Sequence, residues 1–394
     1  MAKLTIGQLD LAGRRVFLRA DLNVPLDHGA VTDDTRLRAV VPTLQHALKA
    51  GASVVLASHL GRPKGQVALE FSLRPVAERL EGLLGQRVEL APDCVGPETS
   101  AKAQALAPGQ VLLLENLRFH KEEETNDDGF ARALAELAQC YVDDAFAAAH
   151  RAHASIAAIT KHLQPAAAGL LMQQELTALG RILESPERPL VAILGGAKVS
   201  DKITLVEHLL DKVEALLIGG GMAFTFLQGL GHAVGRSLVE RDQVETARRT
   251  LDAARRRGVA LVLPLDAIVA DGLDSARGRA VGIREIPADQ MGLDIGPRTV
   301  ERFTAALTGA RTIVWNGPMG VFERPAFAAG TLALARAVAG ASAFTVIGGG
   351  DTVAAVSQAG VTDKIGYIST AGGAFLEFLE GRRLPGVEAL TDAT

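Results

Sequence analysis

Phe344-Thr-Val-Ile-Gly-Gly-Gly-Asp-Thr-Val-Ala-Ala-Val-Ser-Gln-Ala-Gly360 decides how the rest of this chain is read. An apolar strand runs into three glycines, then an acid, then a short helix closed by glycine. Glycines let backbone amides come close to an anion, and the new helix aims its unpaired N–H groups and positive dipole end at it. Asp351 beside the turn suits a magnesium ion that accompanies a nucleotide, because magnesium favours one or two carboxylates together with phosphate oxygens. The same acid also suits a plain cap for a helix starting near Thr352.

The strand-then-helix pattern recurs outward from this stretch. Arg15–Arg19, Ser53–Ala57, Gln110–Leu114 and Cys140–Asp143 read as buried strands of the first half. Leu190–Leu194, Ala215–Ile218, Ala260–Leu263, Thr312–Trp315 and Phe344–Ile347 do the same for the second. Short apolar strands separated by helices imply parallel sheets covered on both faces. In open α/β sheets the ligand crevice lies beyond the carboxyl ends of the strands, which is where the glycines and charges of this chain fall. Between the halves, Leu171–Leu183 has apolar residues at 172, 176, 179 and 183, the spacing of an amphipathic helix, and Ser185-Pro-Glu-Arg-Pro189 stops it. The expected boundary therefore lies near residue 170, with domains 1–170 and 171–380.

At 394 residues, with 48% hydrophobic and 22% charged residues, the chain has the profile of an ordinary globular protein of two domains. A net charge of −4 gives no global attraction to nucleic acid or acidic membrane, so an anion site must be a local cluster. Cys94 and Cys140 fit no metal or redox spacing and suit a reducing compartment. No secretory apolar core follows Met1, and no apolar run reaches membrane-spanning length. The expectation is a soluble, cytoplasmic protein without nucleic-acid or membrane partners.

Cations gather at strand ends in the first half. Arg19-Ala-Asp-Leu-Asn-Val-Pro25 follows one strand, with Asp34-Thr-Arg36 soon after. Ser58-His-Leu-Gly-Arg-Pro63, Glu115-Asn-Leu-Arg-Phe-His120 and Asp144–His153 follow the next three. If these ends converge, Arg36, Arg62, Arg118 and Arg151 form a cationic basket with His59 and His150, and guanidinium forks suit a bidentate grip on phosphate or carboxylate. Asp21 and Asn23 would then read substrate hydroxyls. His120 and His153 read as structural or surface residues. Each arginine taken singly also reads as a solvated or ion-paired surface group.

In the second half, Gly195-Gly-Ala-Lys-Val-Ser-Asp-Lys202 follows a strand and enters a helix. Lys198 and Lys202, four apart, would share one helical face and could neutralise a phosphoryl group, although lysines at a helix start are commonly solvated. Asn316-Gly-Pro-Met-Gly-Val-Phe-Glu323 shapes a tight loop in which Glu323 could accept from a ribose. Gly219-Gly-Gly-Met222 gives another close backbone approach or simply eases packing. No G-x-x-x-x-G-K-[ST] and no G-x-G-x-x-G after the first strand of either half is present, which excludes a P-loop and weakens a dinucleotide site. Without a Ser-centred elbow, phosphoryl transfer would proceed by positioning and electrostatics.

Taken together, these motifs, in this order and spanning nearly the whole chain, resemble the phosphoglycerate kinase family. The resemblance implies two Rossmann-like α/β domains facing across a hinged cleft, with the C-terminal segment, about 381–394, packing back on the first. It assigns Asp21, Asn23, Arg36, His59, Arg62, Arg118 and Arg151 to 3-phosphoglycerate. Lys198, Lys202, Asn316, Glu323, Gly349, Gly350, Asp351 and Thr352 fall to ATP or ADP and its Mg2+, with Asp351 on the metal. The implied reaction is reversible transfer between 1,3-bisphosphoglycerate and ADP by a monomer, with Arg36 and Lys202 meeting at the moving phosphoryl group as the hinge closes. Departures occur at Ala371, where the family commonly has glycine, and at Asp143, Ala147 and Ala148, where asparagine, glycine and threonine are more usual. A silent nucleotide-binding or scaffold protein of the same fold is the alternative, with a dehydrogenase disfavoured by the missing fingerprint.

Overall fold

The computed structural model describes residues 2–393. They form two compact units, one running to Thr177 and including the C-terminal stretch from Arg383, the other Ala178–Arg382. The division falls inside the helix Leu170–Leu183 rather than before it.

The first unit is built on β1 (Arg15–Arg19), a small hairpin of β2 (Leu26–Asp27) and β3 (Ala30–Val31), then β4 (Ser53–Ala57), β5 (Val88–Leu90), β6 (Val111–Leu113), β7 (Cys140–Asp143) and β8 (Ala166–Ala168). Six of these make a sheet in the order β5-β6-β4-β1-β7-β8, with every neighbour parallel. All residues of β4 and β7 are buried, as expected where helices cover both faces and side chains of either parity meet a core. Arg19 at the end of β1 stands level with Ala57 and Asp143, so the segments that follow leave the sheet along one edge. The C-terminal stretch is held here by Thr391 N–H on Ala166 O (2.9 Å), Leu4 N–H on Thr391 O (2.8 Å) and Gly386 N–H on Ala149 O (2.8 Å).

The second unit repeats the plan. Its strands are β9 (Leu190–Leu194), β10 (Ala215–Ile218), β11 (Ala260–Val262), β12 (Asp266–Ala270), β13 (Arg279–Gly282), β14 (Met291–Ile295), β15 (Thr312–Asn316), β16 (Phe344–Gly348) and β17 (Tyr367–Ser369). The main sheet, again wholly parallel, runs β11-β10-β9-β15-β16-β17. A separate antiparallel sheet, β13-β12-β14, had no counterpart in the sequence reading. The long connection from β12 to β13, in place of a two-residue Gly-containing turn, hides that hairpin. Strands β5, β8 and β17 were also missed; each has three residues, and β8 is all alanine, a residue with no β preference.

The helix Leu170–Leu183 begins where Asp144 Oδ1 accepts from Leu171 N–H (2.8 Å) and Met172 N–H (3.1 Å). Its buried stripe is Met172, Glu175, Leu179 and Ile182, whereas Leu176 and Leu183 are only half buried. Steps of three and four residues serve a helical face equally, so spacing alone did not separate the two stripes.

Asp143, one of the departures noted above, is fully buried, with Oδ1 accepting from Ala145 N–H (2.9 Å) and Oδ2 without a partner. Burial pushes its carboxyl up to about 7, and the neighbouring Asp144 up to about 6. A raised acid holds its proton more tightly in the folded chain, so the stability it confers is present at low pH and is lost as pH rises from about 4 to about 7. Asp143→Asn removes this loss and is expected to be more stable than the parent at pH 8 by roughly 1 to 3 kcal/mol, with the gap closing near pH 4. Urea unfolding at the two pH values measures it; a variant less stable at pH 8 would refute the assignment.

Candidate functional site

Parallel pairing places the carboxyl ends of β6, β4, β1 and β7 side by side, and the cationic residues read from the sequence follow those ends. Arg36, in the first turn of the helix Thr35–Lys49, donates through Nη1 to Asp21 Oδ2 (2.8 Å) and Asn23 O (3.1 Å). Asn23 Oδ1 in turn accepts from Gly61 N–H (2.8 Å), which ties the segment after β1 to the one after β4. Arg118 reaches the same turn, Nη1 donating to Gly61 O (2.8 Å), while its Nε lies 3.3 Å from Glu124 Oε1. Arg118 is buried, and that burial lowers its pKa. Arg151 Nε donates to His150 Nε2 at 3.1 Å. Arg62 is exposed and has no ion-pair partner among the described residues.

A buried layer lies beneath. Arg19, fully enclosed, donates through Nε to Ser155 Oγ (2.8 Å), through Nη1 to Ala20 O and through Nη2 to His59 Nδ1 (3.2 Å). Its charge is met by Glu123 Oε1 at 4.0 Å, and Glu123 also accepts from Ser155 N–H (2.9 Å) and Ser155 Oγ (2.6 Å). A guanidinium only donates, so His59 Nδ1 accepts and the ring proton resides on Nε2. Burial first, then Arg19 and Arg118, hold His59 well below the usual imidazole range, so it is neutral at pH 7. His153, 3.8 Å from Glu123 Oε1, is lowered to about 3, chiefly by burial. Arg19, Glu123 and Ser155 were absent from the sequence reading as site residues; the available signal was a charged residue closing the apolar run Val-Phe-Leu of β1.

His120 is an ion-paired residue, its Nε2 2.6 Å from Asp93 Oδ1, and that bond raises its pKa. Ligand atoms of Asp93, Cys94 and His120 lie within 4.8 Å of one another, a grouping that spacing along the chain did not reveal. Cys94 Sγ donates to Glu115 O (2.9 Å), and burial pushes its thiol well above the usual range.

In the second unit the structure corrects one premise. The helix after β9 is Ile203–Leu209, so Lys198 lies in the preceding loop and the two lysines do not share a helical turn. Lys198 is exposed. Lys202 sits at the cap position and folds back, Nζ donating to Gly195 O (2.5 Å) and Asn316 O (3.1 Å). Gly317 has φ +94°, and a Cβ there would fall 2.4 Å from Lys202 Nζ, so the loop needs glycine both for its backbone and for the ammonium. Burial lowers Lys202 to about 8, while Asp201 and Asp351 pull the other way.

The opening stretch forms β16 and the helix Gly350–Gln358. Its cap residue is Gly349, at φ +95°, and Asp351 lies inside the first turn, which removes the plain-cap reading of this acid. Asn316 Nδ2 donates to Gly348 O (2.7 Å), and Thr352 Oγ1 accepts from Gly317 N–H (2.7 Å), so the two glycine loops are laced together. Asp351 and Glu323 are both exposed and line a cavity of about 390 Å3 with Gly196, Gly220, Phe224 and Leu238. Its wall is mostly apolar. Leu238 and Leu273, large and roughly half exposed, belong to that wall and were not picked out from the sequence. Ala371 is unstrained: the left-handed residue of its turn is Gly372, at φ +53°.

The family model for phosphoglycerate kinase matches residues 6–382. A phosphoglycerate kinase of Moorella thermoacetica is 58% identical over the whole of both chains, and one of Acidobacterium capsulatum is 57% identical, again over all of both. Among solved structures, phosphoglycerate kinase from Coxiella burnetii superimposes with a TM-score of 0.92 at 45% identity, covering 98% of each chain. The enzyme from Pyrococcus horikoshii gives 0.84 at 34% identity, with the same coverage. With one match spanning nearly every residue and the others agreeing with it, the chain belongs to the phosphoglycerate kinase family, the glycolytic phosphotransferases that pass a phosphoryl group reversibly between 1,3-bisphosphoglycerate and ADP.

Proposed function

We propose that the two sets of residues divide the reaction between them. Asp21, Asn23, Arg36, His59, Arg62, Arg118 and Arg151 take 3-phosphoglycerate on the first unit; Lys198, Lys202, Asn316, Glu323, Gly349, Gly350, Asp351 and Thr352 take the nucleotide on the second. The observation that carries this reading is Lys202: a partly buried ammonium held by two carbonyl oxygens, with no carboxylate within ion-pair distance among the described residues. A cation kept without a counter-ion is suited to an anion that arrives and leaves.

Each phosphate brings roughly 1.5 to 2 negative charges, and acceptor and donor repel until cations screen them. Arg62, exposed and without an ion-pair partner among the described residues, is suited to grip the phosphate of 3-phosphoglycerate, whereas the ion pair with Asp21 holds Arg36 in place for the reacting end. His59, neutral with its proton on Nε2, offers a donor without adding charge. On the nucleotide side, amides around Gly349 and Gly350 meet phosphate oxygens at the helix end, and the apolar cavity takes the base, with Glu323 on the ribose. Asp351 at that same helix end would repel a bare phosphate, and its exposed carboxylate suits a Mg2+ bound with the nucleotide. The metal, when bound, neutralises phosphate charge; Lys202 stabilises charge on the transferring group. The enzyme is proposed to work as a cytoplasmic monomer with no nucleic-acid or membrane partner; no helix among the described residues is long and apolar enough to cross a membrane.

A coupled assay with 3-phosphoglycerate and MgATP, following 1,3-bisphosphoglycerate through NADH oxidation, tests the reading. Turnover is expected to need both substrates and to fall by about 100-fold or more in Lys202→Ala. With Lys202 at about 8, kcat/KM for MgATP should decline as pH rises through that value, because the free enzyme loses the cation above it, and Lys202→Arg should carry the limb to higher pH. A flat profile between pH 7 and 9 would remove Lys202 from this role. Arg62→Ala is expected to raise KM for 3-phosphoglycerate about tenfold or more while leaving that for MgATP within about twofold. Asp351→Ala is expected to weaken MgADP binding measured by calorimetry, and unchanged affinity would show the metal assignment to be wrong.

A further inference from the structure

The second unit holds another cavity, of about 680 Å3, that the reaction does not use. It lies against the helices Val244–Arg257 and Pro297–Leu307 and the turn that follows β13. Leu227, Leu251 and Ile283 give it an apolar floor, and Leu230, 42% exposed, extends that floor toward solvent. Arg255, Arg284, Arg298 and Arg302 stand around it. Arg255 pairs with Asp252 at 3.4 Å, but the other three have no carboxylate within ion-pair distance among the described residues. The one acid in the lining, Glu285, turns back to accept from Gly282 N–H at 3.3 Å.

Two features of the local sequence leave these charges without local compensation. Arg298 is the second residue of its helix, where a cation opposes the helix dipole, and no acid of the helix lies in its first turn. Arg302 follows four residues later, so the two like charges share a face. Asp266 already satisfies the backbone end, accepting from Arg298 N–H (3.0 Å) and Thr299 N–H (2.8 Å), but it does not pair with either guanidinium. In a chain of net charge −4, this concentration of positive charge over an apolar floor is a local construction.

We propose that the groove is a binding site, separate from the nucleotide cavity, for a small organic polyanion with an apolar body. Guanidinium forks take the charged groups and the leucine floor takes the body. Pro264 lines both cavities, so the site must be read with the nucleotide cavity filled.

The probe is bis-ANS, an aromatic disulfonate, titrated by fluorescence into enzyme saturated with MgADP and 3-phosphoglycerate. The expected result is one saturable event that weakens with added salt and loses about tenfold or more in affinity in Arg298→Gln/Arg302→Gln. Kinase activity of that variant, expected to match the parent, verifies its fold. Arg336→Gln, a charge removed elsewhere on the same unit, should leave the event unchanged. Absence of a saturable event, equal binding by the double variant, or equal weakening by Arg336→Gln would each overturn the proposal.

Discussion

Parallel strand pairing is the constraint on which the rest of this molecule depends. In each unit all six strands of the main sheet point the same way, so every strand delivers its following loop to one edge. A loop at the end of β1 therefore meets loops from β4 and β7 whatever their separation along the chain, and β15 brings Asn316 level with Leu194 and Gly348. Convergence of chemistry is a result of topology here, and the side chains need only be of the right kind at each strand end.

What those ends do with charge differs by depth. Arg19 is enclosed and neutralised by Glu123, a buried pair whose removal on one side would leave an uncompensated ion. It fixes His59 in a neutral tautomer, leaving the ring as a donor that adds no charge of its own. Nearer solvent, Arg62 has no ion-pair partner among the described residues. Lys202 follows the same logic in the second unit, because carbonyl oxygens orient an ammonium without cancelling its charge. A lysine fixed in this way has its pKa lowered to about 8, the expected outcome when desolvation is opposed only by more distant carboxylates.

Much of this was legible in the sequence because long apolar strands and glycine turns are local signals. The nine strands read from the sequence all recur, and Gly349 and Gly350 stand at a helix start as the glycine run implied. What escaped detection was either short or non-local. The trialanine of β8 owes its strand form to pairing with β7, an interaction that no window of sequence contains. Arg19, Glu123 and Ser155 are more than thirty residues apart at their nearest and become a network only when β1 and β7 pair. The helical pairing of Lys198 with Lys202 failed for the opposite reason. A spacing of four is meaningful only inside a helix, and the helix after β9 does not begin until Ile203.

The departures from the family pattern separate in the same physical terms. Ala371 is harmless because the left-handed backbone of that turn belongs to Gly372, one residue later, so the missing glycine was never carrying the strained position. Asp143 is costly because burial outweighs what favours its ionised form: one oxygen is met by a backbone amide, the other has no partner among the described residues, and a second buried acid follows directly. Both residues differ from the one usual in the family. Backbone dihedral and hydrogen-bond supply, read at the position itself, distinguish the neutral change from the one that burdens the fold.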